Sequence, residues 1–324
     1  MAKKAAMNLM LTWLLQAKQT GRRGFTLIEL LVAMVVGSLI VGTMLFLVVE
    51  LLKINRREEI LTQTQQDMRR AIDYITRDAG EAVYIYSSPA AVIGQLGTNF
   101  PRATEVPVLA FWRLDPLDPN NANVRAFFNS NCSTNFANRL SECNTLKLRQ
   151  GYYTLVIYAQ QQNTGNDIWG GRSRIVRYEL PKYTAIGANN LDSTPGYAEP
   201  TGVTNNFDNW TRGPAAPQGN RSVLTDFVDN TDPGAATTGL CPAGYLQTPA
   251  NTNNFYACVL QDTTQVNPDD ANLTIGSNQT LIVFLRGNAD TGNPALGSFS
   301  QAGRLPTLRS EVLIRGVLDK QPGL

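Results

Sequence analysis

The chain of 324 residues contains no histidine. Histidine is the commonest general base in enzymes and the commonest protein ligand for metals. The sequence also lacks a Gly-rich phosphate-binding loop, a nucleophile elbow and a paired-histidine zinc motif. We therefore predict that the protein is not an enzyme, and that it has no catalytic residues and no cofactor.

Charged residues are also scarce. They make up 17% of the chain, and the formal net charge is only +2. Nucleic-acid binding needs a basic surface that neutralises several phosphates. Much of the positive charge lies instead ahead of residue 25, at Lys3, Lys4, Lys18, Arg22 and Arg23. We therefore predict no nucleic-acid partner.

Only four cysteines occur, and they form two pairs that are local in sequence, Cys132 with Cys143 and Cys241 with Cys258. Disulfides are the default expectation for the cysteines of an exported domain. Four cysteines allow three connectivities, of which locality favours these two pairs. A four-cysteine zinc site is the alternative, but neither pair has the close spacing of zinc ligands. We predict two disulfides and no metal.

Three aspartates, Asp226, Asp229 and Asp232, are spaced three residues apart in a polar region. Carboxylates in a loop can bind Ca²⁺, but the alternating ligands of an EF-hand and its closing glutamate are absent. We therefore interpret these aspartates as turn and cap residues.

One long apolar run is present, from Phe25 to Val49, and it contains a single ionisable residue, Glu29. As a helix this run is about 37 Å long, which is enough to cross a hydrocarbon core of about 30 Å. A carboxylate costs about 2.5–3.5 kcal/mol at the centre of a bilayer and less toward its surface. We therefore expect Glu29 to have a counter-charge.

The charges that flank the run predict its orientation. Before it, all the charged residues are basic, whereas Lys53, Arg56 and Arg57 after it are balanced by glutamates at 50, 58 and 59. This bias places the N-terminus in the cytoplasm and the C-terminal part across the inner membrane, in the periplasm or outside the cell. A small-residue cleavage site after the run is not evident, which argues against an ordinary secretory signal.

Residues 24–30, Gly-Phe-Thr-Leu-Ile-Glu-Leu, resemble the class III signal of type IV pilins and type II secretion pseudopilins. The resemblance implies that residues 1–24 are a leader, and that prepilin peptidase cleaves between Gly24 and Phe25 and methylates the new N-terminus at Phe25. It also implies that Glu29 meets the N-terminal ammonium of a neighbouring subunit during filament assembly. The implied partners are this peptidase, other pilins or pseudopilins, an inner-membrane assembly platform and, before assembly, membrane lipid. An ordinary signal anchor with a stray glutamate is the alternative.

Four small residues lie within the run at a spacing of four, Ala33 with Gly37 and Ser38 with Gly42. Small residues at this spacing allow helices to approach closely in lipid or in a filament core. The alternative, that these four are ordinary helical residues with no role in packing between helices, explains them equally well.

The helical pattern continues after the apolar run, and residues 50–82 contain no proline. Apolar residues recur at Ile54, Leu61, Met68, Ile72, Ile75 and Ala79, whereas Arg69, Arg70, Asp73, Arg77 and Asp78 suit a solvated face. We predict one helix from Phe25 to about Ala82, with a transmembrane part (25–49) and an amphipathic part (50–82) that packs on a folded domain. A short free coiled coil is the alternative. Residues 68–86 resemble the helix end of the larger minor pilins and pseudopilins of the PilW and GspJ type.

The sequence of residues 83–324 predicts a β-rich domain outside the cytoplasm. Together with the helix, this domain gives an α+β, pilin-like fold with an antiparallel sheet. The strand candidates are Val106–Arg113, Tyr152–Gln160, Arg174–Leu180, Thr280–Arg286 and Glu311–Val317. Both faces of the second are expected to be covered, and 161–172 is expected to be the loop to the third.

Regular patterning nearly vanishes at about 182–278, which predicts a long loop-rich insertion. Its aromatic residues either fill a small core or form a contact surface, and we favour packing. They are Tyr197, Phe207, Trp210, Phe227, Tyr245, Phe255 and Tyr256.

Two functions fit these patterns. The first is a structural subunit, a minor pilin or pseudopilin of a type IV pilus or a type II secretion-like filament. The second is a single-pass, membrane-anchored binding protein, for example for carbohydrate, that acts outside any filament.

Overall fold

The structure, a computed structural model, describes residues 24–97, 105–164, 168–201, 207, 209–231, 239–260, 266–267, 270–274, 280–290 and 303–314. Except for Gly24, the predicted leader lies outside the described residues. The chain divides into two compact units, Met1–Arg56 and Arg57–Leu324. The first contains the apolar run, and the second contains the β-sheets.

The predicted long helix is confirmed as α1 (Leu27–Gly80). Within the second unit its apolar stripe lies in the protein core, since Met68, Ile72, Ile75 and Ala79 are buried. Leu61 packs against the same core. Ile54, in the first unit, is 48% exposed, so the buried stripe begins later than the sequence pattern does.

The larger sheet has five antiparallel strands in the order β1-β2-β3-β4-β7. These are β1 (Ala82–Ile85), β2 (Glu105–Pro116), β3 (Gly151–Gln162), β4 (Ser173–Pro181) and β7 (Asn220–Val228). The first three strand predictions fall within β2, β3 and β4, and the β3–β4 hairpin has the predicted antiparallel pairing.

A second antiparallel sheet has the order β13-β12-β9-β8. Its strands are β8 (Tyr245–Thr248), β9 (Phe255–Leu260), β12 (Thr280–Leu285) and β13 (Leu308–Leu313). β13 starts three residues before the predicted Glu311, because it pairs with the whole length of β12, from Leu308 opposite Leu285 to Leu313 opposite Thr280. Residues 315–317 of that predicted strand lie outside the described residues.

Short helices and two small sheets complete the described part of the domain. The helices are α2 (Pro89–Leu96), α3 (Ala122–Asn129), α4 (Cys132–Asn135) and α5 (Leu140–Arg149), with a 3₁₀ turn at Ala137–Arg139. β5 (Tyr183–Ile186) pairs with β6 (Leu191–Ser193), and β10 (Val266–Asn267) pairs with β11 (Asp270–Thr274). The sequence pattern did not predict these helices within the β-rich domain, because they are too short to show a clear helical period.

The five-stranded sheet has a hydrophobic core on each face. On one side, Val156 and Tyr158 of β3 pack with α1 and with strands of the second sheet. On the other side, Leu155 and Ile157 pack with α2 and Trp210. The predicted cover on both faces of this strand is therefore confirmed, and so is the α+β class, with the long helix packed on antiparallel sheets.

The prediction of a loop-rich insertion at about 182–278 is wrong for the residues that form β7 and β9. β7 completes the edge of the larger sheet, and β9 is an inner, buried strand of the smaller one. The polar sequence of β7 and its irregular register with β4 hide its strand period. Trp210, Phe255 and Tyr256 are buried, so the packing role favoured for the aromatic residues is confirmed for these three.

The prediction that Asp78 suits a solvated face is wrong, because its side chain is only 4% exposed. Its carboxylate accepts hydrogen bonds from Arg177 Nε at 2.8 Å, from the Tyr158 hydroxyl at 2.5 Å and from Arg113 Nη1. These partners lie on β2, β3 and β4. A buried charge is tolerated when it is paired and hydrogen-bonded, and here it ties the end of α1 to three strands.

Replacing this carboxylate with an amide (Asp78→Asn) should lower the free energy of unfolding by about 3 kcal/mol, the lower end of the range for breaking a buried ion pair. The loss is limited because Asp115 and Glu179 still compensate the arginines. Urea unfolding of the full chain in detergent micelles measures it. The matched control is Asp73→Asn on the exposed face of α1, which should change stability by less than about 0.5 kcal/mol. Equal effects of the two variants would contradict the role of Asp78.

Candidate functional site

Thr26 and Glu29 shape the start of α1. The backbone N–H of Glu29 donates to the Thr26 carbonyl at 3.0 Å and to its side-chain oxygen Oγ1 at 3.3 Å. Thr-x-x-Glu is the sequence of a capping box, in which the threonine accepts from the backbone three residues later. Thr26 therefore fixes the first helical residue at Leu27. The Thr-x-x-Glu spacing is the sequence signal for this cap.

Glu29 lies in the first turn of α1. A helix N-terminus carries a partial positive charge, so a carboxylate is stabilised there and an ammonium is destabilised. A chain that begins at Phe25 would place its α-amino group at this same end of the helix. Such an ammonium needs a nearby carboxylate more than an ordinary chain terminus does.

The apolar run exposes its side chains along its whole length. The large apolar residues from Phe25 to Leu52 are each between 48% and 86% exposed. In the part of the chain that the structure describes, α1 is the one helix long and apolar enough to cross a membrane. Because water does not tolerate a continuous apolar surface of this size, lipid or other helices must cover it.

The small residues of the run leave open space at its surface. A Cβ atom added at Gly37 or Gly42 would meet no atom within 4 Å. The Ser38 hydroxyl donates to the Val35 carbonyl at 2.8 Å, so its polar group is satisfied within its own helix. Both observations are compatible with close helix approach and with plain filler, so the two alternatives stay open.

The comparisons with known proteins bear on this segment. Residues 20–45 match the family model described as the prokaryotic N-terminal methylation motif. The chain carries a prepilin-type methylation motif. The match supports a type IV pilin-like protein that prepilin peptidase matures, with a single-pass membrane anchor. No curated protein and no solved structure matches the chain.

Both predicted cysteine pairs are disulfides in the structure. Cys132–Cys143 joins α4 to α5, and Cys241–Cys258 joins the segment before β8 to β9. Cys143 and Cys258 are fully buried. In the chain-entropy model, closing loops of 11 and 17 residues contributes about 3 kcal/mol each.

Two of the three aspartates considered for Ca²⁺ lie in the described part of the chain, and both have other partners. Asp226 Oδ2 accepts from the Gly170 backbone N–H at 2.9 Å. Asp229 is fully buried and forms an ion pair with Arg286 at 2.7 Å. Asp232 lies outside the described residues. Among the described residues, no group of three or more His, Cys, Asp or Glu side chains is placed to hold a metal ion.

Sequence reasoning missed a cleft of about 430 Å³ on the domain. It lies among α5, the start of β3 and parts of segment 182–201. Its lining residues are Ser141, Glu142, Thr145, Leu146, Arg149, Gly151, Tyr152, Lys182, Tyr183, Glu199 and Thr201. These residues come from segments far apart in sequence, so their proximity depends on the tertiary fold. We name it the α5 cleft.

Glu142 anchors one side of the α5 cleft. Its carboxylate accepts hydrogen bonds from Arg139 Nε at 2.6 Å and from the Tyr183 hydroxyl at 2.7 Å. Lys182 Nζ lies 3.7 Å away. Burial by itself raises the pKa of Glu142, but these hydrogen bonds and positive charges together lower it below its ordinary value.

The lowered pKa predicts how Glu142 contributes to stability. The contribution is fully present above the ordinary glutamate pKa of about 4.3, and it is lost as the pH falls through the lower pKa of the folded state. Urea unfolding of the wild type and of Glu142→Gln should therefore differ most above pH of about 5. The difference should shrink as the pH is lowered further.

The control for this experiment is Glu311→Gln, which removes an exposed carboxylate paired with Arg309 on β13. It should change the free energy of unfolding by less than about 0.5 kcal/mol. A difference for Glu142→Gln that grows as the pH falls would contradict the lowered pKa.

Proposed function

We propose that the protein is a structural subunit, not an enzyme: a minor pilin or pseudopilin of the PilW or GspJ kind in a type IV pilus or a type II secretion-like filament. The observation that carries the proposal is the matched methylation motif at the start of an exposed apolar helix. Glu29 in the first helical turn supplies the carboxylate that assembly would need.

In this proposal the chain first lies in the inner membrane, with its N-terminus in the cytoplasm and its folded domain in the periplasm. Prepilin peptidase cuts between Gly24 and Phe25 and methylates Phe25. At an assembly platform the apolar part of α1 then leaves the lipid for a helical fibre of pilins or pseudopilins. Helix-to-helix contacts in the fibre replace its contacts with lipid, so the apolar surface stays out of water.

Charge pairing between subunits fixes the axial offset at which one N-terminal helix packs against the next. An ammonium at Phe25 and a carboxylate at Glu29 are each costly in an apolar environment when alone. When the ammonium of one subunit meets the carboxylate of the next, both costs are reduced, but only at one axial offset between the helices. A domain of this size, with two larger sheets and two disulfides, suits a subunit present in few copies more than the bulk repeating one.

Mass spectrometry of the chain purified from membranes of cells with an active prepilin peptidase tests the proposal. The expected mass is that of residues 25–324 plus one methyl group. Gly24→Val should leave the full-length mass, because a bulky residue then precedes the cut. Gly21→Val, a similar change three residues earlier, should still be processed. A wild-type chain that keeps residues 1–24 would contradict the proposal.

A further inference from the structure

The charges that line the α5 cleft balance one another. Glu199 forms ion pairs with Lys182 at 2.6 Å and with Arg149 at 3.4 Å, and Lys182 also lies 3.7 Å from Glu142. The lining therefore holds two basic and two acidic side chains. A strongly anionic or cationic ligand would have to break these pairs to enter. A neutral ligand would not.

The paired side chains keep spare hydrogen-bonding capacity. A carboxylate offers about four lone-pair sites, and a lysine ammonium has three donors. The hydroxyls of Ser141 and Thr145 also line the cleft and can both donate and accept, whereas the Thr201 hydroxyl donates to Glu199 at 3.2 Å and can still accept. The cleft thus offers both donors and acceptors, which suits a ligand whose own groups donate and accept at neighbouring positions. Vicinal hydroxyl groups have this property.

Apolar surface lies beside these polar groups. The rings of Tyr152 and Tyr183 line the cleft, with their centroids 5.5 Å apart, and Leu146 lines it too. A polyhydroxylated ring carries its C–H groups on its faces and its hydroxyls at its edge. Aromatic and aliphatic side chains can pack against such faces while the charged groups bind the edge.

We propose that the α5 cleft binds a neutral sugar, of the size of a mono- or disaccharide unit. Its volume of about 430 Å³ falls in the range of small-ligand sites. The carboxylates of Glu142 and Glu199 accept from sugar hydroxyls, and Arg149 and Lys182 donate to them. The partly exposed ring of Tyr152 contacts the apolar face of the sugar. Nothing in this binding depends on filament assembly.

Isothermal titration of the purified full chain tests the proposal, in a detergent that has no sugar headgroup. The probes are maltose, cellobiose, lactose and diacetylchitobiose, with glucuronate and inorganic phosphate as anionic comparators. We expect saturable binding of at least one neutral disaccharide, with a dissociation constant of about 1 mM or lower. Both anions should bind at least about tenfold more weakly, because they must break the ion pairs.

Two tryptophan variants locate the site on α5. Thr145 lines the cleft and is exposed, so Thr145→Trp fills the cleft without disturbing the core and should abolish binding. The neighbouring residue Asn144 is exposed and does not line the cleft, so Asn144→Trp should bind like the wild type. Glu199→Gln should weaken binding about tenfold, through loss of a charged acceptor.

Three results would overturn the proposal: no saturable binding of any neutral probe, tighter binding of an anion, or unchanged binding by Thr145→Trp. Each is independent of whether the leader is cleaved. Failure of sugar binding is therefore distinguishable from failure of the proposed filament function.

Discussion

One constraint governs the N-terminal part of the molecule: an exposed apolar helix carries a carboxylate in its first turn. The apolar surface from Phe25 to Leu52 cannot remain in water, so it needs lipid or other helices. Glu29 fits poorly in either environment unless a positive charge approaches it. Cleavage after Gly24 would create such a charge at Phe25, four residues away in sequence, but also on every neighbouring subunit. The constraint thus links membrane insertion, processing and assembly.

In the folded domain, a second set of interactions holds the end of the long helix against the two larger sheets. Apolar packing of Met68, Ile72 and Ile75 supplies most of the contact. At Gly287, just after β12, the backbone approaches the helix so closely that an added Cβ would lie 2.7 Å from Met68. The hydrogen bonds of Asp78 are directional where apolar packing is not, and they bond the end of the helix to neighbouring strands of the larger sheet.

The long elements could be predicted from the sequence because their periods are sustained. The helix, the strands β2, β3 and β4 and the disulfide pairs follow from apolar spacing and cysteine locality. β7 and the short helices could not be predicted, because a polar edge strand and helices of one to three turns show only a weak hydrophobic period. Glu29 could be identified from the sequence because it is the one charged residue in an apolar run. The burial of Asp78 and the α5 cleft both depend on residues that the fold brings together from distant segments. No local sequence pattern predicts either of them.

The most direct test of the central claim is incorporation into filaments of two charge-removing variants of the same helix. Glu29→Gln removes the carboxylate in the first turn, whereas Glu50→Gln removes an exposed one that pairs with Lys53. Both chains are expressed at equal levels in cells that assemble the filament, and the amount of each in sheared filaments is measured. The account predicts that Glu29→Gln incorporates at least about tenfold less than the wild type, while Glu50→Gln incorporates normally. Equal incorporation of Glu29→Gln and the wild type would contradict it and favour an anchored domain that acts alone.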